Sequence, residues 1–247
     1  MWYVGSKNRL SKELAPIIQS YITKETKGYL EPFVGGANMI DKIKHPKRTG
    51  SDIHKQLIAL LNKAKNDVEN IPNTITKEEY IMVRDNKDKY EDWYVGLVGF
   101  CASYNSKYFG GYANNIKKKT GKEKGKIRNY ADEAIRNLKK QAPDLKEITF
   151  INKSFLDLPK DKIKGYVIYC DIPYNGATKY NSNDFPYEEF YEWVKEMSKF
   201  NTVLISEYSM PEEFTCIWKK EVRTSLNNYR INRDNDRVEK LFIYENQ

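Results

Sequence analysis

The chain has 247 residues, 40% of them hydrophobic and 31% charged, with a formal net charge of +8. Such a length and balance suit one globular domain, or one domain carrying an insertion, and exclude a largely disordered or fibrous chain. Only two histidines and three scattered cysteines (Cys101, Cys170 and Cys216) are present, with no metal-ligand spacing or disulfide framework, and no apolar run approaches membrane-spanning length.

A reduced protein of the cell interior, without a metal and without a membrane, is therefore expected. The positive charge admits a polyanionic partner without demanding one. Tyr3-Val4-Gly5-Ser6-Lys7 opens the chain and leads into a helical pattern through Leu10, Leu14, Ile17, Ile18 and Tyr21. Ser6 can cap that helix, and Pro16 limits its regularity. A strand over Tyr29–Phe33 then runs into Val34-Gly35-Gly36-Ala37-Asn38. Paired glycines between a strand and a helix let a ligand approach the backbone near the helix amides; a structural tight turn accounts for them nearly as well.

A second strand, Thr49 to Ile53, carries Asp52 near its end, followed by a helix with Leu57, Ile58, Leu60 and Leu61. An acidic residue about twenty positions after a glycine turn is the usual place to bind a ribose diol, and helix capping is the other use of such a residue. With no P-loop or arginine-rich element, a nucleoside without phosphates fits better than a nucleotide.

From Glu69 to Ala142 strand and helix stop alternating. Short helices around Tyr80–Val83 and Trp93–Tyr104 precede an aromatic-glycine loop, Tyr104-Asn105-Ser106-Lys107-Tyr108-Phe109-Gly110-Gly111-Tyr112. Lys117, Lys118, Lys119, Lys122, Lys124, Lys126 and Arg128 follow, opposed within that stretch by Glu123 alone. A run of lysines by itself is commonly a solvated loop. Beside aromatics and glycines it suits nucleic acid, with charges for phosphates, a flexible backbone for a groove and rings for bases.

Helix resumes at Tyr130–Leu138, and Ile148–Ile151 is a strand with Ser154-Phe155 just past its end. Tyr166-Val167-Ile168-Tyr169-Cys170 then reads as a buried strand that stops at Asp171-Ile172-Pro173-Tyr174-Asn175-Gly176. Pro173 and Gly176 force a turn, so a carboxylate, backbone carbonyls and a ring gather at the carboxyl end of a core strand, where open α/β sheets bind ligands. A polar turn that merely ends a strand is the alternative. A helix over Tyr187–Met197, a strand over Thr202–Ser206 and a closing β-pair, Cys216–Val222 with Val238–Tyr244, complete the chain.

In this order the motifs resemble the Dam-like family of adenine-specific DNA methyltransferases, particularly its bacteriophage members. Tyr3 to Lys7 is similar to the family's N-terminal cofactor motif, Glu31-Pro32-Phe33-Val34-Gly35-Gly36 to its glycine motif, and Ser51-Asp52-Ile53 to its acidic ribose motif. Asp171-Ile172-Pro173-Tyr174 resembles the catalytic motif, usually written with two prolines. Ser154-Phe155 stands where many relatives carry an acidic residue and an aromatic beside the cofactor's adenine.

The resemblance implies a Rossmann-like class I methyltransferase fold, α/β, with a mostly parallel sheet closed by a reversed hairpin. It divides the chain into a catalytic domain (1–68 and 146–247) and a mainly helical target-recognition insertion (69–145). It implies S-adenosylmethionine as methyl donor, with S-adenosylhomocysteine as product and no metal. Double-stranded DNA would be the partner of a monomer or weak dimer in a bacterial or phage-infected cytoplasm.

The implied catalytic residues are Asp171, Ile172, Pro173 and Tyr174. Cofactor contacts fall on Tyr3, Lys7, Glu31, Phe33, Gly35, Gly36, Asp52, Ile53, Ser154, Phe155 and Asp171, with Lys7 at the carboxylate end of the cofactor. DNA contacts fall on Tyr104, Asn105, Lys107, Tyr112, Lys117, Lys118, Lys119, Lys122, Lys124 and Lys126. Two other readings stay open: methylation of another planar nitrogen (RNA adenine, cytosine amine or glutamine amide), and a DNA-binding relative without catalysis.

Overall fold

The computed structural model describes residues 1–117, 125, 127–173, 185–223 and 236–245. The elements in chain order are α1 (Ser11–Ser20), β1 (Gly28–Glu31), β2 (Arg48–Asp52), α2 (Lys55–Asn66), α3 (Lys77–Asp85), α4 (Asp92–Gly96), β3 (Ile116–Lys117) and β4 (Ile127–Arg128). They continue with α5 (Tyr130–Leu145), β5 (Ile148–Asn152), β6 (Tyr166–Asp171), α6 (Tyr187–Ser198), β7 (Thr202–Glu207), β8 (Thr215–Arg223) and β9 (Asp236–Ile243).

One sheet runs in the order β5-β2-β1-β6-β7-β9-β8. The strands from β5 to β7 pair in parallel, while β9 is antiparallel to both β7 and β8. The fold is therefore α/β with a mostly parallel sheet and a reversed closing hairpin.

The apolar run of β6 follows from burial on both faces of the sheet. Val167 and Tyr169 pack with α1, α2 and α5, whereas Ile168, Cys170 and Ile172 pack against Phe190, Trp193, Val194 and Met197 of α6. Successive side chains alternate between faces, so a strand covered on both sides needs apolar residues at every position. In α6 those four residues recur at helical spacing and form one stripe toward the sheet.

Boundaries differ from expectation where backbone chemistry intervenes. β1 ends at Glu31 rather than Phe33, because Pro32 has no N–H to give a ladder. Asp171 belongs to β6, pairing in register with Ser206, so the carboxylate is carried by strand backbone rather than by the turn. α1 passes through Pro16, which is exposed, as is Lys12 one turn before it, so the carbonyl that proline cannot serve faces solvent. Among the described residues no helix is long and apolar enough to cross a membrane.

Residues of the 69–145 stretch share a core with the sheet. Tyr80, Val83, Val95, Leu97 and Phe100 lie in one cluster with Leu57, Leu60 and Leu61 of α2 and with Tyr29 and Tyr169 of the sheet. α3 is opened by a capping box, in which Thr76 and Glu79 exchange side-chain and backbone hydrogen bonds. α4 continues into a single π-turn, Leu97–Cys101, buried throughout.

α4 crosses α2 at Gly96, where a Cβ would stand 2.2 Å from the Gln56 carbonyl oxygen. Backbone cannot yield as a side-chain tip can. Gly96→Ala is expected to destabilise by about 1–3 kcal/mol through overpacking. Thermal unfolding should show the melting temperature falling by several degrees; an unchanged value would mean that the two helices part at no cost.

Candidate active site

β1 and β6 are neighbours, yet the chain leaves β1 toward β2 on one side and β6 toward β7 on the other. This is the switch point of the sheet, where a crevice opens beyond the carboxyl ends of the strands. Glu31 ends β1 and Asp171 ends β6, while Asp52 ends β2, one strand away. Three carboxyl groups thus meet at one edge.

Asp171 is paired with a residue 164 positions away: Lys7 Nζ lies 2.7 Å from Asp171 Oδ1. Glu239 of β9 stands 4.0 Å from the same ammonium. Ser6 caps the short 3₁₀ turn Lys7–Arg9 and so fixes the stem of the lysine, which is only 8% exposed. Burial pushes the Asp171 carboxyl above the ordinary carboxylate range, and Lys7 draws it back. For Lys7, burial alone would depress the ammonium, but Asp171 and Glu239 outweigh it and hold it above its usual value. The pair is best described as an ion pair whose cation is secure and whose carboxylate depends on that cation.

Glu31 is buried and accepts a hydrogen bond from the Tyr29 hydroxyl at 2.7 Å. Burial raises its pKa far above the ordinary range, and the negative charges of Asp41 and Asp171 push the same way. Asp52 accepts from the Gly35 amide at 3.1 Å on one oxygen and from the His54 amide at 2.9 Å on the other. It does not cap α2, whose first turn has no side-chain cap. Instead it ties the glycine turn of β1 to the turn after β2. Burial raises its carboxyl and these amides oppose the shift.

The glycines of that turn make room for the protein's own ring. A Cβ on Gly35 would meet Tyr3 Cε1 at 2.9 Å, and one on Gly36 would meet Tyr3 Cβ at 2.8 Å. Gly35 also adopts φ +48°, which a side chain disfavours. Ile53, beside Asp52, is 76% exposed over the same edge. Phe33 stands 5.4 Å from Phe155 and 5.7 Å from Phe185, ring to ring, forming an aromatic wall. Ser154 caps the turn that carries Phe155, accepting from the Leu156 amide at 3.3 Å.

Beyond Asp171, the Ile172 side chain is 3% exposed and belongs to the cluster with Phe155 and Phe190. The Pro173 carbonyl accepts a hydrogen bond from Tyr187 at 2.7 Å. Tyr174 lies outside the described residues.

The loop from Tyr104 to Tyr112 is braced from within. Tyr104 donates its amide to Gly111 at 2.7 Å, Phe109 to Gly99 at 3.0 Å, and Gly111 to the Tyr80 hydroxyl at 3.1 Å. Asn105, Ser106 and Phe109 all have positive φ, a clustering of left-handed non-glycine residues that usually accompanies function. Tyr104 (63% exposed) and Asn105 face outward, as do Lys107 and Lys117. Tyr112 is turned inward: its hydroxyl donates to the Ile75 carbonyl at 2.9 Å and its ring meets Tyr80. Lys118, Lys119, Lys122, Lys124 and Lys126 lie outside the described residues.

His54 was not singled out by the sequence. Its ring lies 4.4 Å from Tyr108 and 5.0 Å from Phe100, so it joins the Asp52 turn to the aromatic-glycine loop. No local pattern signals that contact, since Tyr108 approaches from a distant part of the chain.

A carboxylate-lined switch point beside a braced aromatic loop defines an α/β protein able to bind a cationic or hydroxyl-rich ligand. The D12 class N6 adenine-specific DNA methyltransferase family matches residues 3–232, and the chain belongs to that family. No curated protein matches it. Among solved structures, that of SMU.472 complexed with SAH aligns at 13% identity with a TM-score of 0.41, covering 98% of this chain and 53% of that one. This chain thus spans about half the length of that protein, and so distant a likeness bears on neither activity nor ligand.

Proposed function

We propose that this chain transfers a methyl group from S-adenosylmethionine to the exocyclic amine of an adenine flipped out of duplex DNA. The observation that carries the reading is the half-buried Asp171 carboxylate, held by Lys7 at the switch point of the sheet. The residues present fit the cofactor. Carboxyl groups at the strand ends suit a cationic sulfur and a ribose diol, and half-buried Phe33, backed by buried Phe155, together with exposed Ile53 offers apolar surface to a purine. When bound, S-adenosylmethionine supplies an electrophilic methyl group on a positively charged sulfur.

The exocyclic amine of adenine is a poor nucleophile because its lone pair is delocalised into the ring. Asp171 and the Ile172 carbonyl accept its two N–H bonds and so turn the lone pair out of conjugation. The Asp171 carboxylate also stabilises the positive charge that develops on nitrogen. Lys7 keeps that carboxylate ionised and aimed. Tyr174 offers a face to the extruded base. Tyr104 and Asn105 read the neighbouring bases, and the lysines from Lys117 to Lys126 hold phosphates.

Asp52 carries the ribose hydroxyls in this scheme. Asp52→Ala is expected to weaken cofactor affinity about ten- to a hundred-fold, the worth of charge-assisted hydrogen bonds. Calorimetry with S-adenosylmethionine checks this, and unchanged affinity in a folded variant would refute the assignment.

The whole reading is tested by expressing the protein in a host free of DNA methylation and sequencing that DNA by a method that reads modified adenine. Modified adenine in a fixed sequence context is the expected result. Modified cytosine would redirect the reading to another amine, and unmodified DNA would favour a binding protein without catalysis.

A further inference from the structure

We infer that Tyr187 is a positioning residue for methyl transfer: its hydroxyl clamps the Pro173 carbonyl and thereby sets the backbone that presents the Ile172 carbonyl. The inference rests on the proposed roles of Asp171 and Ile172. The Tyr187 hydroxyl donates to the Pro173 carbonyl oxygen at 2.7 Å. Tyr187 is the first residue of α6, and α6 is anchored by Phe190, Trp193, Val194 and Met197 in the core beneath the sheet. The donor therefore rides on a rigid element rather than on a loop. Its ring packs edge-on against Phe185 at 4.9 Å, and Phe185 in turn meets Phe33 and Phe155 of the aromatic wall.

The turn is held at two points. Below, the Ile172 side chain is sunk in the cluster with Phe155 and Phe190. Above, the Pro173 carbonyl is held by Tyr187. The Ile172 carbonyl, the proposed second acceptor for the amine, lies on the backbone between these anchors.

This explains how an isoleucine serves at a position where the motif usually has a proline. A proline ring would fix φ at 172 covalently. Here a buried branched side chain and a hydrogen bond one residue later supply the restraint. Burial pushes the Tyr187 phenol up to about 12, so it remains a neutral donor across the working range of pH. If Tyr187 served only to pack the start of α6, its ring contacts would suffice and the hydroxyl would be dispensable.

Tyr187→Phe separates the two roles, because it keeps the ring and removes the donor. In the full chain, hydrogen exchange in the peptide covering 166–173 should quicken. The single-turnover methylation rate at saturating cofactor and DNA should fall about tenfold, the worth of one hydrogen bond. Cofactor affinity and melting temperature should stay at the parent values. Unchanged exchange and unchanged rate would overturn the clamp, and so would a variant that loses stability, cofactor affinity and rate together. If the parent protein methylates no DNA, the proposed function fails on that result alone, and hydrogen exchange still decides whether the clamp exists.

Discussion

Asp171→Ala is expected to lower the single-turnover rate of methyl transfer by about a hundred- to a thousand-fold, the usual loss when a positioned transition-state acceptor is removed. The expectation follows from where the residue sits. Asp171 closes the central strand, is paired in register with Ser206, and is aimed by Lys7 at 2.7 Å. The fold should survive, because β6 is held by Val167, Ile168, Tyr169 and Cys170 on both faces of the sheet. Lys7 keeps Glu239 as a nearby counter-charge. Rapid-quench methylation on a cognate duplex, with circular dichroism as the check on folding, measures both. A folded variant turning over at the parent rate would remove Asp171 from the mechanism.

Lys7→Met should act through the protonation of Asp171. Burial already raises that carboxyl, and Lys7 is the group that opposes the rise. Without it the carboxyl moves further up, because an uncompensated charge in a buried site neutralises rather than persists. Since the carboxylate is the active acceptor, the acid limb of the pH–rate profile should shift to higher pH, with the largest loss below neutrality and partial recovery above it.

Stability runs the opposite way with pH. With the folded pKa above the unfolded one, the native state holds a proton that the unfolded state has released between the two values, so stability falls as pH rises through that window. A Lys7→Met enzyme with the parent pH profile would show that Lys7 does not set the charge of Asp171.

Much of the fold was legible because it depends on patterns along the chain. The apolar run of β6, the helical stripe Phe190-Trp193-Val194-Met197 and the glycine turn after β1 are local signals, and each lies where expected. Of the three acidic strand ends only Asp52 was read near the end of its strand; Glu31 was placed inside a strand running to Phe33 and Asp171 in the turn after β6, whereas each closes its strand.

What the sequence withheld is what packing decides. Lys7 finds Asp171 across 164 residues, an ion pair that no local pattern signals. Gly35 and Gly36 read equally as room for a ligand or as a tight turn, and the close approach of the Tyr3 ring to Gly35 and of Asn38 to Gly36 could not be read from the sequence. Tyr112, expected at a DNA surface, is half-buried and donates its hydroxyl to the Ile75 carbonyl, a contact no local pattern signals. Tyr187 was legible only as the start of a helix, because the carbonyl it holds belongs to a turn fourteen residues earlier.

The central claim is most directly tested by incubating the purified protein with duplex DNA and S-adenosylmethionine carrying an isotopic label on its methyl group. The DNA is then digested to nucleosides and the labelled species identified by mass spectrometry, beside Asp171→Ala as control. The predicted result is label on N6 of deoxyadenosine with the parent protein and almost none with the variant. Label on another base, equal labelling by both proteins, or no label from any duplex offered would contradict it.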